Sequence, residues 1–422
     1  MQTPFYTLNF GLGTSLWERE IQKAIFEIRI KGLGAQGRTA IFPKLVFGIK
    51  KGVNFYEDDP NYDIKQLAIR CSIARVYPDI LNYDTLVDLT GSYKSPMGCR
   101  SFLQGWENEE GEDVSNGRMN LGVVTLNLPR IALESQGNKE LFWDIFDDRV
   151  KVVEDALVYR MNQVFEAQPE MAPILYKNGA FGMRAKDGEG VKQFFENLRA
   201  TISIGYIGLY EVGAMFFGGE WEDNPEAKEF TLEVLRKLKK RSLELSEEYG
   251  VWFSVYGTPA ESLTDRFCSM DTERFGIVDN ITDKEYYTNS FHYDVRKDVN
   301  PFDKIDFEKD YPVYASGGFI HYCEYPKLNK NPKALEAVWD YSYDKVAYLG
   351  TNTPIDRCYE CGYEGDFTPV SKGYKCPDCG NQDPDTIDVV KRTCGYLGQP
   401  QARPMVHGRK KEIDSRVKHL ED

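Results

Sequence analysis

KRTCGYLG, residues 391–398, lies just downstream of four paired cysteines and turns on its central glycine, Gly395. Flanked by Arg392, Thr393, Cys394 and Tyr396, that glycine suits a tight turn, because glycine adopts backbone angles that a Cβ forbids. Glycine has a second property. Losing its α-hydrogen leaves a planar backbone radical, stabilised between an amide nitrogen and a carbonyl and uncrowded by a side chain. The stretch fits either a turn or a store for an unpaired electron, and its surroundings must discriminate.

Just upstream, CYEC (358–361) and CPDC (376–379) form two CxxC pairs on either side of a Gly-containing, hairpin-like insert. Each pair can place two thiolates on one ion, and Cys358, Cys361, Cys376 and Cys379 together close a tetrahedral zinc site with no open position. Redox exchange is the competing reading of a CxxC, but two matched knuckles exceed what it needs. A full thiolate shell leaves no place for substrate or water, so the expected Zn2+ is structural. It would order a segment lacking its own core and position the adjoining KRTCGYLG. Zinc ribbons elsewhere bind nucleic acid or protein, which keeps a non-catalytic binding or structural role open.

At 422 residues and 41% hydrophobic content, the chain can hold one large α/β domain or a few ordinary ones. A formal net charge of −14 gives no whole-chain attraction to phosphate backbones or anionic lipid, so neither nucleic acid nor membrane is expected as partner. No apolar run approaches the roughly 20 residues that cross a bilayer. The start MQTPFYTLNFG lacks the basic and apolar regions of a signal peptide, so the expected location is cytoplasmic. Nine cysteines in such a chain point to thiolate, metal or redox chemistry rather than disulfides.

Along the chain, Ser15 caps a predicted helix to about Ile30, with Trp17, Ile21, Ile25 and Ile28 as its inward face and Gly32 past its end. A strand over 41–49 and a helix over 64–76, stopping before Pro78, follow; Cys71 on that helix reads as a core thiol. In SPMGCRSFL (95–103), Pro96, Met97 and Gly98 break regular structure and set Cys99 on a turn or loop tip. LGVVTLNL (121–128) reads as a buried parallel strand with Asn120 at its mouth. Helices are predicted over 139–166 and 225–249, the second with Asn224 as cap, Pro225 at its first position and Gly250 beyond its end. Strands at 202–209 and 251–256 give a β/α alternation. Cys268, in a helical stretch, reads as structural. Three later blocks read as connections lining a cavity: YYTNSFH (286–292), SGGF (316–319) and TNTP (351–354). Their hydroxyls, amides and open backbone suit phosphate or ribose, although polar loops commonly have no such role. His292 and His321 are too scattered to argue as metal ligands.

In sequence order, GLGTSLWE, IKGLG, TAIFPKLVFGIKKG, PMGCRSFL, NLGVVTLNLPRIALE, YYTNSFHYDV, SGGFIHY, YLGTNTPID, RTCGYLG and QARPM cover essentially the whole chain. With them the chain resembles the anaerobic, class III ribonucleotide reductases, a glycyl radical enzyme family. The resemblance implies an α/β fold: a partial ten-stranded barrel entered by a finger loop (1–350), a four-cysteine zinc ribbon (351–385), and a glycyl radical loop with the C-terminal tail (386–422). It implies anaerobic reduction of ribonucleoside triphosphates with formate as reductant. Gly395 matches the radical glycine, Cys99 the finger-loop thiyl residue and Asn120 an asparagine that hydrogen-bonds near the reacting sugar. Thr288, Asn289, Ser290, Ser316, Gly317, Gly318, Thr351, Asn352 and Thr353 become the expected substrate-binding residues. A separate iron–sulfur activase using S-adenosylmethionine would install the radical. Other glycyl radical enzymes, such as formate-lyase-like acyltransferases, carry adjacent active-site cysteines that are absent here. Full-length members begin upstream of the block that Met1 soon meets, so the resemblance implies a carboxy-terminal portion, the product of a split gene or of a truncated one; the expectation is a separate amino-terminal polypeptide that covers exposed barrel edges, and a homo-oligomer of the completed enzyme. Above all, it requires Gly395 and Cys99 to touch although they lie near opposite ends of the chain.

Overall fold

In the computed structural model, which describes residues 6–108, 110–371, 373–400 and 405–420, the apolar runs of the sequence become two sheets. Most of the QARPM block, residues 401–404, lies outside the described residues. The larger sheet orders Thr7–Phe10, Lys44–Ile49, Asp79–Asn82, Tyr348–Asn352 and His321–Glu324 side by side. Its first three strands are parallel, the last two are parallel to each other, and the two groups meet antiparallel between Asp79–Asn82 and Tyr348–Asn352. That last strand runs across the domain boundary expected at residue 350. The smaller sheet is all parallel: Met119–Asn127, Ala200–Ile207 and Trp252–Gly257.

Ala200–Ile207 is buried along its whole length, as a central parallel strand covered on both faces must be. The expectation of a fully buried strand at 121–128 is corrected: Met119–Asn127 is an edge strand, and Val123, Val124 and Thr125 are only half-buried. Its apolar run signals partial covering rather than enclosure, and the strand bulges between Asn120 and Gly122.

The sheets are joined by chain rather than by a shared ladder. Ser101 forms an isolated bridge to Gly318, which bridges in turn to Tyr256. Phe102 N donates to Gly317 O at 2.9 Å and Gly317 N to Val255 O at 3.0 Å, so the segment after Cys99 is pinned to the smaller sheet. The described residues therefore form a mixed α/β fold whose 5-stranded sheet and all-parallel 3-stranded sheet are linked at this seam, with four smaller sheets beside them.

The helix Pro225–Tyr249 matches its predicted limits, with Asn224 Oδ1 accepting from Glu226 N and Ala227 N and Gly250 in the left-handed region. Cys71 and Cys268 are buried in their helices. The helix Leu16–Lys31 corrects the expected facing: Trp17 is 75%, Ile21 59% and Ile28 67% exposed, while Gln22, Phe26 and Arg29 are buried. Both sets have helical spacing. Contact decides between them, because the Phe26 ring packs tilted against Phe10 and edge-on against Phe47 of the sheet. Among the described residues no helix is long and apolar enough to cross a membrane.

Candidate active site

Lys391–Arg392 pairs antiparallel with Leu397–Gly398, and Thr393 N donates to Tyr396 O at 3.0 Å, so KRTCGYLG is a hairpin with Gly395 buried at its tip. A Cβ on Gly395 would lie 2.5 Å from Cys99 O and 2.6 Å from both Cys99 Cα and Cβ. Those atoms are mostly backbone and cannot yield, so only glycine lets the two loops meet. Gly395 is not among the residues with positive φ, so close approach rather than turn geometry is what demands a glycine here. On the other side Gly98, at φ +61°, closes a tight turn in which Met97 and Ser101 exchange backbone hydrogen bonds, and Cys99 follows at its tip.

The Cys99 sulfur lies 3.5 Å from that of Cys394. This hydrogen bond, reinforced by burial, pushes the Cys99 thiol well above its ordinary pKa, so it keeps its proton at neutral pH. A thiol that retains its hydrogen, on a residue whose backbone and Cβ crowd a glycine, is suited to exchanging a hydrogen atom rather than to attacking as a thiolate.

A buried charge cluster seats the hairpin. Arg392 donates to Asp79 at 2.6 and 3.2 Å, to Asn352 Oδ1 at 2.6 Å and to Thr351 O at 3.3 Å. Burial opposes the Arg392 charge, but Asp79 outweighs it and holds the guanidinium ionised. Lys44 Nζ reaches Asp79 at 3.0 Å, Gly395 O at 2.8 Å and Cys99 O at 3.1 Å. Lys44, Asp79 and Cys394 were not singled out from sequence. The available signal was a lysine opening the run KLVFGI, whose six residues are all buried: a charge there must have a partner.

The expected substrate residues scatter. Thr288 and Asn289 line a cavity beside Cys394, and Asn289 Oδ1 there is buried without a hydrogen-bond partner among the described residues. The same cavity gathers Arg100, Lys304, Arg392, Arg409 and Arg416 against Glu324 and Glu412, which pair with Arg416 and Arg409, so its lining is positive on balance and suited to an anion. Asn352 and Thr353 line a second cavity toward the ribbon. Several of these side chains serve the protein itself: Ser290 accepts from Arg100, Thr288 donates to Glu211, Thr351 accepts from Trp339 and Thr353 donates to Ile73 O. Ser316 is buried, and Gly317 and Gly318 form the seam beside the Cys99 loop, where an added Cβ would strike Ser254 or Tyr256. Asn120 is exposed, its carboxamide oxygen accepting from Gly122 N at 2.8 Å. His292 and His321 both face the buried Glu308, and burial lowers His292 to about 4, leaving it neutral.

The four ribbon cysteines converge, with all Sγ atoms within 4.8 Å of one another and 3.6 Å between Cys358 and Cys379 and between Cys361 and Cys376. Thiolates about 2.3 Å from a tetrahedral zinc stand roughly 3.8 Å apart, so the donor set fits that ion. Asn381 donates to Cys358 Sγ at 3.5 Å. At the ribbon's base, Asp356 accepts from Phe367 N and Val390 N at 3.0 Å and from Lys391 Nζ at 2.5 Å, tying the ribbon directly to the hairpin.

The family model of the anaerobic ribonucleoside-triphosphate reductases matches residues 1–419. The anaerobic ribonucleoside-triphosphate reductase of Escherichia coli strain K12 is 54% identical over 420 residues, covering 99% of this chain and 59% of that protein. A solved anaerobic ribonucleotide reductase superposes with TM-score 0.68 at 21% identity, over 95% of this chain and 58% of the other. A glycyl radical enzyme from Archaeoglobus fulgidus gives TM-score 0.60 at 12% identity, over 97% and 57%.

Proposed function

The chain belongs to the family of anaerobic ribonucleoside-triphosphate reductases, and from that premise we propose that it carries the radical site for anaerobic reduction of ribonucleoside triphosphates to deoxyribonucleoside triphosphates. In this reading Gly395 stores the radical. It takes the hydrogen atom of the Cys99 thiol, so the S–H bond breaks as a Cα–H bond forms and the unpaired electron moves to sulfur. The Cys99 thiyl then removes the ribose 3′ hydrogen, the 2′ hydroxyl takes a proton and leaves as water, formate is oxidised to carbon dioxide as it supplies two electrons and a proton, and the Cys99 thiol returns the hydrogen atom to the 3′ carbon.

The observation that carries this reading is the approach of Gly395 to Cys99, too close for any Cβ, joined to a thiol that keeps its hydrogen. Such placement is what converts a bimolecular step into an internal one. The basic cavity beside Cys394, with Thr288 and Asn289 on its wall, suits the triphosphate. Asn120, exposed at the start of its strand, is assigned to hydrogen bonding near the sugar. The two linked sheets are read as parts of the barrel, with the segment around Cys99 as its finger loop. A separate activase using S-adenosylmethionine supplies the radical. Zinc, when bound, supplies a closed structural centre held by Cys358, Cys361, Cys376 and Cys379.

The test is electron paramagnetic resonance after anaerobic treatment with a radical S-adenosylmethionine activase. The wild type should give a glycyl doublet and Gly395→Ala none. Cys99→Ser should keep the doublet while turnover falls to background. A wild type without the doublet, where a full-length relative gives one, overturns the proposal.

A further inference from the structure

We propose that Lys44 is a positioning residue of the radical site, its ammonium clamping the Gly395 and Cys99 carbonyls together and holding the unpaired electron on the glycine. The inference rests on the radical reading of Gly395. Lys44 opens the strand Lys44–Ile49 and is fully buried. Its Nζ has three oxygen neighbours: Gly395 O at 2.8 Å, Asp79 Oδ2 at 3.0 Å and Cys99 O at 3.1 Å. Burial lowers its pKa, and Asp79 opposes that loss of charge. The Tyr348 and Tyr396 rings lie 5.1 and 5.7 Å from the same nitrogen.

A structural ion pair with Asp79 is the simpler account, and the charge count argues against its sufficiency. Asp79 is already engaged by both terminal nitrogens of Arg392. Two cations therefore converge on one carboxylate, and the surplus positive charge faces the two carbonyl oxygens. Burying an extra cation is costly unless its hydrogen bonds are met, and here two of three are met by the two loops that must touch.

The consequence is geometric and electronic. One donor on both carbonyls fixes the distance over which the hydrogen atom passes between Cys99 and Gly395. A glycine-centred radical is shared between its amide nitrogen and its carbonyl. A charge-assisted hydrogen bond on that carbonyl oxygen makes it the better electron acceptor and keeps spin density on Gly395. No electron or proton is exchanged with Lys44.

Two variants of the full chain test this: Lys44→Met, which removes charge and donor, and Lys44→Gln, which keeps a donor without charge. Before any activation, anaerobic alkylation by iodoacetamide, mapped by mass spectrometry, should run about tenfold faster at Cys99 and Cys394 in Lys44→Met, the size of one lost charged hydrogen bond. Cys71, in the core behind the same strand, and Cys268, in a separate core, should keep wild-type rates. After activase treatment, both variants should show a lower doublet yield and altered hyperfine splitting, with Lys44→Gln the milder. Wild-type alkylation, yield and splitting in both variants overturn the proposal. So does uniform acceleration at all four cysteines in both, which would assign Lys44 to stability alone. If the wild type itself gives no doublet, the radical reading falls, while the alkylation pattern still decides whether Lys44 clamps the two loops.

Discussion

The hairpin that presents Gly395 and the ribbon that presents the four cysteines are neighbours in sequence, yet they are held in different ways. The hairpin is seated from within, by Arg392 and Lys44 on a buried Asp79 and by a backbone contact too close for a side chain. The ribbon has short strands and a small core of Phe367, Tyr374, Ile387 and Val389 around Cys358 and Cys376, and two of its four thiols are exposed. A buried ionic seat is sensitive to the loss of a single partner, whereas a metal-closed segment is sensitive to the loss of its ion. Asp356, which holds both Val390 and Lys391, transmits the order of one to the other.

The largest effect should come from the metal. Chelation, or Cys376→Ala, should abolish amide-exchange protection across 356–388 while leaving 200–257 protected, since metal binding in small zinc peptides is worth roughly 10–16 kcal/mol. Protection that survives chelation would mean that the ribbon folds on its own core and would erase the contrast. Next is Asp79→Asn, which strands Lys44 and Arg392 as uncompensated buried cations and should cost about 3–5 kcal/mol in denaturant unfolding. Zinc content should stay at the wild-type level; zinc lost together with stability would show the two regions to be one unit.

Acid should discriminate further. His292 and His419 line the basic cavity beside the hairpin, and burial lowers each to about 4 from 6.5. The unfolded chain binds these protons near pH 6.5 and the folded chain only near 4. Stability is therefore full above pH 6.5, declines as pH falls through that window, and levels below it, with about 3 kcal/mol from His292. Replacing His292 by Gln should flatten the slope of stability between pH 6.5 and 4; an unchanged slope would place the acid response elsewhere. The smallest effect belongs to a site remote from both regions. Asn224→Ala removes the cap of Pro225–Tyr249 and should cost about 1 kcal/mol, with no change in zinc content or in Cys99 alkylation.

Legibility from sequence followed the range of the forces involved. The helix 225–249 was readable to the residue because cap, first-turn proline and terminal glycine act locally. The four cysteines were readable because a chelating pair is encoded by spacing two residues apart. The facing of Leu16–Lys31 was not, since Trp17–Ile21–Ile28 and Gln22–Phe26–Arg29 have equally helical spacing and only the Phe10–Phe26–Phe47 contact selects one. Nor was the task of Thr351 and Asn352, polar residues that accept from Trp339 and Arg392 across long stretches of chain.

By itself the sequence determined the family, the four converging cysteines and the local limits of the helix 225–249, because each is written in the identity or spacing of near neighbours. Only the tertiary structure decided that Gly395 is a glycine for lack of room beside Cys99, and that a lysine in an apolar strand lies beneath both. Contacts between distant segments are set by packing and charge neutralisation in three dimensions, and they leave no periodicity to read.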